Sequence, residues 1–259
     1  MTKVLIIVVI IFIIFLIFFA TKLPKCATKP KRLHKCEIVV ARYNENLDWL
    51  SQSPFNKYTS IVYNKGNNNN FNTTNVKQIV NVKNVGRCDH TYLYHIIENY
   101  DNLADITLFL PGSLEMPYKI KRAEQFIFAM EKNKTTVFMG PYHNNVREDM
   151  KTFRKEEWKA SYGPNADLNN EITLKLADIR PFGNWYENKF GNIVTNYASL
   201  YGILCISRKH ILQHPKQHYI NIIKDVETSS NPEAGHYLER SWEAVFHPIT
   251  GATIIKEDS

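Results

Sequence analysis

The chain lacks the sequence signatures of the common enzyme classes. Its 259 residues contain no P-loop, no G-x-G-x-x-G turn, no G-x-S-x-G elbow and no H-E-x-x-H helix. These absences exclude most P-loop NTPases, classical dinucleotide enzymes, serine hydrolases and zincins. Internal repeats are also absent, and the four consecutive asparagines at 67–70 are typical of a loop tip.

Acidic residues are missing from the first 35 positions. This segment holds seven Lys and Arg residues, and the rest of the chain holds 25 Lys and Arg against 25 Asp and Glu. The net charge of +7 therefore belongs to the N-terminal segment. Because the remaining chain carries no excess of positive charge, we expect no nucleic-acid partner.

Charged residues are also missing from 4–20, an unbroken apolar run of 17 residues. At about 1.5 Å per residue, this run is at the lower limit for a helix that crosses a bilayer core. A cleaved signal peptide is the alternative, which the length of the run and the lack of a small-x-small site disfavour. We predict a transmembrane anchor in the lipid bilayer over 1–21, a basic stalk over 22–35 and an α/β domain over 36–259.

The side of the membrane on which the domain lies is left open by the sequence. Six of the seven basic residues follow the apolar run, which favours a cytoplasmic domain. The sequons at 72–74 and 133–135 would suit a lumenal domain, but a chain this rich in Asn contains sequons by chance. The four cysteines permit three disulfide pairings or none.

Strand and helix patterns alternate after the stalk. Strand patterns occur at 36–41, 59–63, 106–110, 136–139 and 201–207, and helical patterns at 91–100, 117–132, 208–213, 216–227 and 234–246. Asp89 is predicted to cap the first helix, and loops with short helices are expected over 141–195. The alternation predicts one Rossmann-like α/β domain with a mainly parallel sheet.

Polar residues follow three of the predicted strands. They are Arg42-Tyr43-Asn44-Glu45, Lys65-Gly66 and Pro111-Gly112-Ser113. Because ligands bind beyond the carboxyl ends of the strands in such sheets, we expect these segments to border a site. Gly86-Arg87 precedes a helix, where an anion is favoured. Solvated turns, and an arginine that pairs with a nearby carboxylate, are the alternatives.

Two groups near the C-terminus have helical spacing. His236, Glu239 and Arg240 lie within about one turn of each other. They form either part of a functional site or an ion-pair cluster on the helix. His210, His214 and His218 are four apart, as zinc ligands on one helix can be. Pro215 is predicted to break that helix, which favours histidines near helix ends without a metal.

Several segments together resemble the uncharacterised DUF3431 family. They run in order from about residue 37 to 247: Val39-Val40-Ala41-Arg42-Tyr43-Asn44-Glu45, Tyr63-Asn64-Lys65-Gly66, Asn84-Val85-Gly86-Arg87, His90-Thr91-Tyr92-Leu93, Phe109-Leu110 with Gly112, Ile206-Ser207-Arg208, and His236 with Leu238-Glu239-Arg240 and Trp242. The family usually has Glu after Gly-Arg, whereas this chain has Cys88. Members occur in large DNA viruses among other sources, and the richness of this chain in Asn, Lys and Ile would suit a viral origin.

The resemblance implies an organisation similar to nucleotide-sugar glycosyltransferases of the GT-A type, an analogy at the level of the fold. It would imply catalysis by Glu239 or Glu45, which would take the proton of the acceptor hydroxyl. Lys65 and Arg87, with Arg42, would neutralise the leaving diphosphate. The substrate-binding residues implied in full are Arg42, Asn44, Lys65, Arg87, Asp89, His236 and Arg240. The partners implied are a nucleotide sugar and a glycan or protein acceptor.

The metal and the activity remain open at the level of sequence. Metal-dependent GT-A enzymes hold Mn²⁺ or Mg²⁺ with an Asp-x-Asp motif, and the corresponding segment at 107–113 has no carboxylate. A non-catalytic, membrane-anchored binding or virion-surface protein is the main alternative. A hydrolase of a phosphorylated or glycosidic substrate is another, which would need two carboxylates across a cleft.

Overall fold

A seven-stranded mixed sheet forms the centre of the fold. The computed structural model describes residues 35–156 and 174–257. The strands are β1 (Cys36–Arg42), β2 (Thr59–Asn64), β3 (Val76–Asn81), β4 (Ile106–Pro111), β5 (Val137–Gly140), β6 (Leu204–Ser207) and β7 (Thr253–Lys256). Their order in the sheet is β3-β2-β1-β4-β6-β5-β7.

Eight α-helices lie in the described ranges, and three short 3₁₀ turns accompany them. The helices are α1 (Arg87–Glu98), α2 (Pro117–Asn133), α3 (Val146–Asp149), α4 (Phe182–Phe190), α5 (Arg208–Ile211), α6 (Lys216–Ile223), α7 (Glu233–Glu239) and α8 (Trp242–Val245). The 3₁₀ turns are Asp48–Ser51, Phe55–Lys57 and Gly112–Glu115.

Six of the seven strands run in one direction. β1 pairs in parallel with β2 and β4, β2 with β3, and β5 with β7, whereas β6 is antiparallel to β4 and β5. The predicted α/β class and mainly parallel sheet are therefore confirmed. The chain leaves β1 toward β3 and then returns to β4 on the other side of β1, so a topological switch point lies between β1 and β4.

Both faces of the sheet are buried, which explains the continuous apolar sequence of the central strands. Alternate side chains of β1 point to opposite faces. Ile38 and Val40 pack with α2, and Val39 and Ala41 pack with α1, α4 and the C-terminal helices. Full burial of a large side chain such as Phe109 contributes about 1.5–3 kcal/mol relative to exposure.

The helices predicted over 91–100, 208–213 and 216–227 all end earlier than predicted, at Glu98, Ile211 and Ile223. Two further differences concern residues that were predicted to border a site. Asp89 was predicted to cap α1, but the N-cap is Gly86, and Asp89 is buried within the first turn. The helix predicted over 234–246 divides into α7 and α8. The division lies at Arg240 and Ser241, where the Ser241 hydroxyl donates to the Tyr237 carbonyl oxygen at 2.9 Å.

Parts of the predicted organisation lie outside the described residues. These parts are the anchor over 4–20, the stalk over 22–35 except Lys35, and the segment 157–173. Within residues 35–156 and 174–257, no helix has both the length and the apolar character needed to cross a bilayer.

Candidate functional site

The carboxyl ends of β1, β2 and β4 meet at one edge of the sheet. Arg42 is the last residue of β1, Lys65 follows β2, and Gly112 follows β4. The three polar segments predicted from the sequence are therefore neighbours in the fold. They border the switch point between β1 and β4, where a crevice for ligands is expected in an open α/β sheet.

Arg42 holds this edge together from within. Its side chain is 1% exposed, and it donates to the Glu45 carbonyl oxygen at 2.8 Å, to Asn64 Oδ1 at 2.7 Å and to Asn68 Oδ1 at 2.9 Å. The guanidinium also lies 4.3 Å from the Phe71 ring centroid. With most of its donors engaged, Arg42 supports the strand ends rather than facing a ligand.

Asn44 and Gly66 join the loops after β1 and β2. Asn68 Nδ2 donates to Asn44 Oδ1 at 2.9 Å. A Cβ on Gly66 would lie 1.5 Å from the Tyr43 carbonyl oxygen, so only glycine permits this approach of the two backbones. The side chain of Asn44 is thus part of the loop contact.

Glu45 brings a carboxylate to the end of β4. Its Oε2 accepts a hydrogen bond from the Tyr43 amide at 2.6 Å. A Cβ built on Gly112 would lie 2.7 Å from the same oxygen. The strand end that lacks a carboxylate in sequence therefore receives one from the loop after β1.

Lys65 fixes the loop that precedes α1. Its buried ammonium donates to the Val85 carbonyl oxygen at 2.5 Å and to the Arg87 carbonyl oxygen. Burial lowers the pKa of Lys65 to about 7, and the nearby Cys88 and Asp89 oppose this shift. Lys65 thus positions Arg87 as well as carrying charge.

The N-terminus of α1 has the features of an anion site. No side chain caps the helix, and both Gly86 (φ +59°) and Arg87 (φ +50°) are left-handed. Arg87 Nη1 donates to Asn231 Oδ1 at 3.2 Å. Asn231 is 1% exposed, and its Nδ2 has no hydrogen-bond partner in the part of the chain that is described. A buried donor without an acceptor, beside an arginine and a helix N-terminus, suits an anionic ligand.

Asp89 is buried behind the first turn of α1. Its Oδ1 accepts from Trp242 Nε1 at 3.2 Å, and Cys88 Sγ lies 3.8 Å from Oδ2. Burial, followed by the charge of Glu239, raises the pKa of Asp89 to about 7. The carboxyl group is therefore largely protonated below neutral pH. Cys88 and His90, its neighbours in sequence, form no catalytic triad with it.

Glu239, at the end of α7, is the more accessible carboxylate. Its side chain is 25% exposed, and its Oε1 accepts from the Tyr201 amide at 2.8 Å. Arg240 Nη1 lies 3.7 Å from Oε2 and donates to the His236 carbonyl oxygen at 2.7 Å. Burial, with Arg87 and Arg240, lowers the pKa of His236 to about 3, so its imidazole is neutral.

Two buried cations of α2 were not selected from the sequence. Lys119 Nζ donates to Ser113 Oγ at 2.9 Å, and Arg122 Nη2 donates to the Met139 carbonyl oxygen at 2.6 Å. Burial lowers the pKa of Lys119, which the charges of Arg87, Glu239 and Glu45 also influence. The available signal was a lysine and an arginine on the apolar stripe that Ala123 and Phe126 continue.

Six residues thus form the carboxyl-edge cluster. They are Glu45, Lys65, Arg87, Asp89, Lys119 and Glu239, three acids and three bases within electrostatic range of one another. Burial shifts the pKa values of Lys65, Asp89 and Lys119, and shifted pKa values beside specific charge partners are typical of functional sites.

A family model matches residues 38–254, which is most of the chain. The chain belongs to the DUF3431 family. That family is described as a protein of unknown function, so membership supplies no activity. No curated protein matches the chain at a significant level. The match confirms the expected family and includes all six members of the carboxyl-edge cluster.

The spaced histidines of this DUF3431 protein bind the backbone. His210, His214 and His218 each place Nε2 within 2.9–3.2 Å of a carbonyl oxygen in the segment 245–250. Pro215 separates α5 from α6 as predicted. These histidines fasten the C-terminal segment to the two helices. Across the two described ranges, no group of three or more His, Cys, Asp or Glu residues is placed to hold a metal ion.

Proposed function

We propose that this DUF3431 protein is a glycosyltransferase-like enzyme that binds a nucleotide sugar at the carboxyl edge of its sheet. The observation that carries the proposal is the convergence of buried cations and carboxylates at the switch point between β1 and β4. A crevice at this place suits a nucleotide, and its charges suit a diphosphate. The likeness to GT-A enzymes drawn from the sequence is an analogy at the level of the fold.

The diphosphate would lie at the N-terminus of α1. Arg87 and the unpartnered Asn231 Nδ2 supply donors there, and the helix dipole favours negative charge. Lys119 approaches from the first turn of α2, on the other side of the strand ends. Lys65 holds the loop at 85–87 in position and adds to the positive potential.

Glu239 is the proposed general base. It would accept the proton of the acceptor hydroxyl while the acceptor oxygen forms its bond to the anomeric carbon of the donor. The bond from that carbon to the diphosphate oxygen breaks, and the diphosphate leaves with the electron pair. Arg87 and Lys119 stabilise the negative charge that develops on the leaving group. Glu45, held against Gly112, is the second candidate for the base.

The donor groups at this edge do not fit a resident divalent cation. Within the two described ranges, no group of three or more His, Cys, Asp or Glu residues is placed to hold a metal ion, and Asp89 is buried against Trp242. We therefore derive no step through Mn²⁺ or Mg²⁺, and we assign the neutralisation of the diphosphate to the cations.

One observation favours a hydrolase as the second candidate. Burial, together with the charge of Glu239, raises the pKa of Asp89, while Glu239 itself is partly exposed. Two nearby carboxyl groups in different environments, one buried and one partly exposed, are typical of acid–base pairs. Hydrolysis would release free sugar from the donor without any acceptor, whereas transfer would require one.

Thermal shift of the full chain with a panel of nucleotide sugars and free nucleotides tests the proposal. We expect one nucleotide to raise the melting temperature, because a ligand that binds only the folded state stabilises it. Lys119→Gln should weaken this binding about tenfold to a hundredfold, the range for a charged hydrogen bond.

Lys132→Gln is the matched control for that variant. Lys132 is exposed on the same helix, about 20 Å along its axis from Lys119. It should bind the nucleotide as the wild-type protein does. If no nucleotide shifts the folded wild-type protein, or if the two variants behave alike, the donor site is wrong and a non-catalytic binding protein becomes the better interpretation.

A further inference from the structure

A groove opens beside the carboxyl-edge cluster, at the carboxyl ends of β5 and β7. It is a groove of about 550 Å³, and its lining includes Lys121, Gln125, Leu200, Tyr201, Lys256 and Glu257. β5 and β7 run parallel to β1 and β4. The groove therefore opens at the same edge of the sheet as the cluster.

The exposed Tyr201 lines this groove, and a second exposed tyrosine, Tyr118, contacts its ring. Tyr118 is 54% exposed and Tyr201 is 43% exposed, with ring centroids 5.5 Å apart in an edge-to-face arrangement. An exposed aromatic ring leaves apolar surface in water, which is unfavourable, and it adds nothing to the core. Paired rings with adjacent polar groups are typical of binding surfaces. An aromatic face with amide, ammonium and carboxylate groups around it suits a sugar ring, whose C–H face packs on the aromatic ring while its hydroxyls form hydrogen bonds.

The backbone at Tyr201 is held in an unfavourable conformation. Its φ is +70°, in the left-handed region that a tyrosine rarely adopts. The tyrosine amide donates to Glu239 Oε1 at 2.8 Å. Strain of this kind persists where the surrounding structure enforces it, often at ligand sites. One residue thus presents its ring to the groove and its amide to the proposed base.

A buried arginine supports the floor of the groove. Arg122 is 4% exposed, forms an ion pair with Glu257 and donates to the Met139 carbonyl oxygen at 2.6 Å. Its guanidinium lies 5.2 Å from the Tyr201 ring centroid. The contacts connect α2, β5 and the end of β7, so the tyrosine ring lies on a preformed support.

The first turn of α2 faces both sites. Tyr118 is exposed beside Tyr201, which lines the groove, and the next residue, Lys119, is buried in the carboxyl-edge cluster. We propose that the groove binds a saccharide acceptor, with Tyr118 and Tyr201 as its platform and Glu239 at the junction with the donor site. The assignment rests on the proposed glycosyl transfer, which requires an acceptor next to the donor.

Saturation-transfer NMR tests the groove by measuring the binding of neutral tetrasaccharides to the full chain. The tetrasaccharides are those of glucose, mannose and N-acetylglucosamine. At least one of them should bind, and Tyr118→Ser and Tyr201→Asn should each weaken that binding about tenfold, equivalent to about 1.4 kcal/mol. Asparagine tolerates the left-handed conformation, so the second variant keeps the backbone at this position.

Phe128→Ser is the matched control, since Phe128 is a 69% exposed aromatic residue of the same helix, outside the groove. It should bind saccharide as the wild-type protein does. The groove is wrongly assigned if none of the three tetrasaccharides binds, or if both tyrosine variants bind like the wild-type protein.

The donor measurement separates this inference from the proposed function. Tyr118→Ser and Tyr201→Asn should keep the thermal shift given by the nucleotide sugar. Saccharide binding that depends on the tyrosines, without any nucleotide shift in the wild-type protein, would support the groove and contradict the donor site. A nucleotide shift without saccharide binding would support the donor site and contradict the groove.

Discussion

Asp89 and Glu239 carry the same chemical group in opposite surroundings. Asp89 is 3% exposed, and burial raises the pKa of its carboxyl group from 3.8 to about 7. Glu239 keeps a quarter of its side chain exposed. We therefore expect different effects on stability and turnover when each carboxylate is replaced by its amide.

Asp89→Asn should stabilise the protein at alkaline pH. Between about pH 4 and pH 7 the unfolded chain has released the proton that the folded protein retains, so wild-type stability falls with rising pH over this window and is level above it. Asparagine does not titrate and preserves the oxygen that accepts from Trp242. The free energy of unfolding of the variant minus that of the wild-type protein should therefore grow from pH 4 to a plateau above pH 7, by about 4 kcal/mol at most. Melting temperatures measured across this pH range should follow the same course. A difference independent of pH would contradict the raised pKa.

Glu239→Gln should abolish turnover while leaving stability nearly unchanged. The amide oxygen of glutamine can still accept from the Tyr201 amide, but it cannot take a proton. We expect the turnover number to fall by at least about a hundredfold, with a change below about 0.5 kcal/mol in the free energy of unfolding.

Glu233→Gln, on the same helix, is the contrasting variant. Glu233 is fully buried and pairs with Arg180 at 2.7 Å. Its loss should therefore lower stability by roughly 3 kcal/mol, since it leaves a charge without its partner. If Glu239→Gln loses as much stability as Glu233→Gln, Glu239 is a structural ion-pair residue.

At the scale of elements, two glycines have positive φ angles but different packing environments. Gly86 (φ +59°) begins α1, and a Cβ there would lie 2.2 Å from the Val226 carbonyl oxygen. Gly251 (φ +78°) has no atom within 4 Å of such a Cβ. Both replacements by alanine incur the cost of a positive φ, about 1–2 kcal/mol, and only Gly86→Ala adds a clash.

Gly86→Ala should therefore destabilise the protein by roughly 2 kcal/mol more than Gly251→Ala, measured by urea denaturation. It should also weaken nucleotide binding, because it displaces the loop that presents Arg87. Equal losses of stability in the two variants would show that the contact between α1 and the segment after α6 does not contribute to the free energy of unfolding.

The elements that could be predicted are those with strong periodicity and clear ends. β1, β2, β4 and α2 lie within about one residue of their predicted bounds. β3 and β7 were missed, since β3 is a largely exposed edge strand with polar residues and β7 has four residues. An edge strand needs no apolar alternation, so the sequence carries little signal of it.

The site was predictable where a polar residue directly follows a strand. Arg42, Asn44, Glu45 and Lys65 were placed at the correct edge because all parallel strands end there. Which of them would be buried could not be predicted, since that depends on loops packing from distant parts of the chain. Lys119 and Arg122 were missed for the same reason, because their partners are Ser113, which follows β4, and Met139, within β5.

At the scale of the whole molecule, the charge is divided between a basic N-terminal segment and a neutral domain. The first 35 residues hold the entire surplus of positive charge, next to the apolar run at 4–20. The described residues begin after this run and already contain both buried faces of the sheet. Attachment to a membrane and formation of the site should therefore be separable.

We predict that the full chain remains with membranes after alkaline carbonate extraction, and that a chain beginning at Lys35 appears in the supernatant. The physical reason is that 17 apolar residues have a large favourable transfer free energy into a bilayer core, whereas basic residues alone bind only through charge. Extraction in 1 M salt distinguishes the two, because it screens attraction to lipid head groups without affecting an inserted helix. Release of the full chain by salt would leave the basic stalk as the only attachment. Cooperative unfolding of the shortened chain would show that the sheet and its carboxyl edge fold without the segment that precedes them.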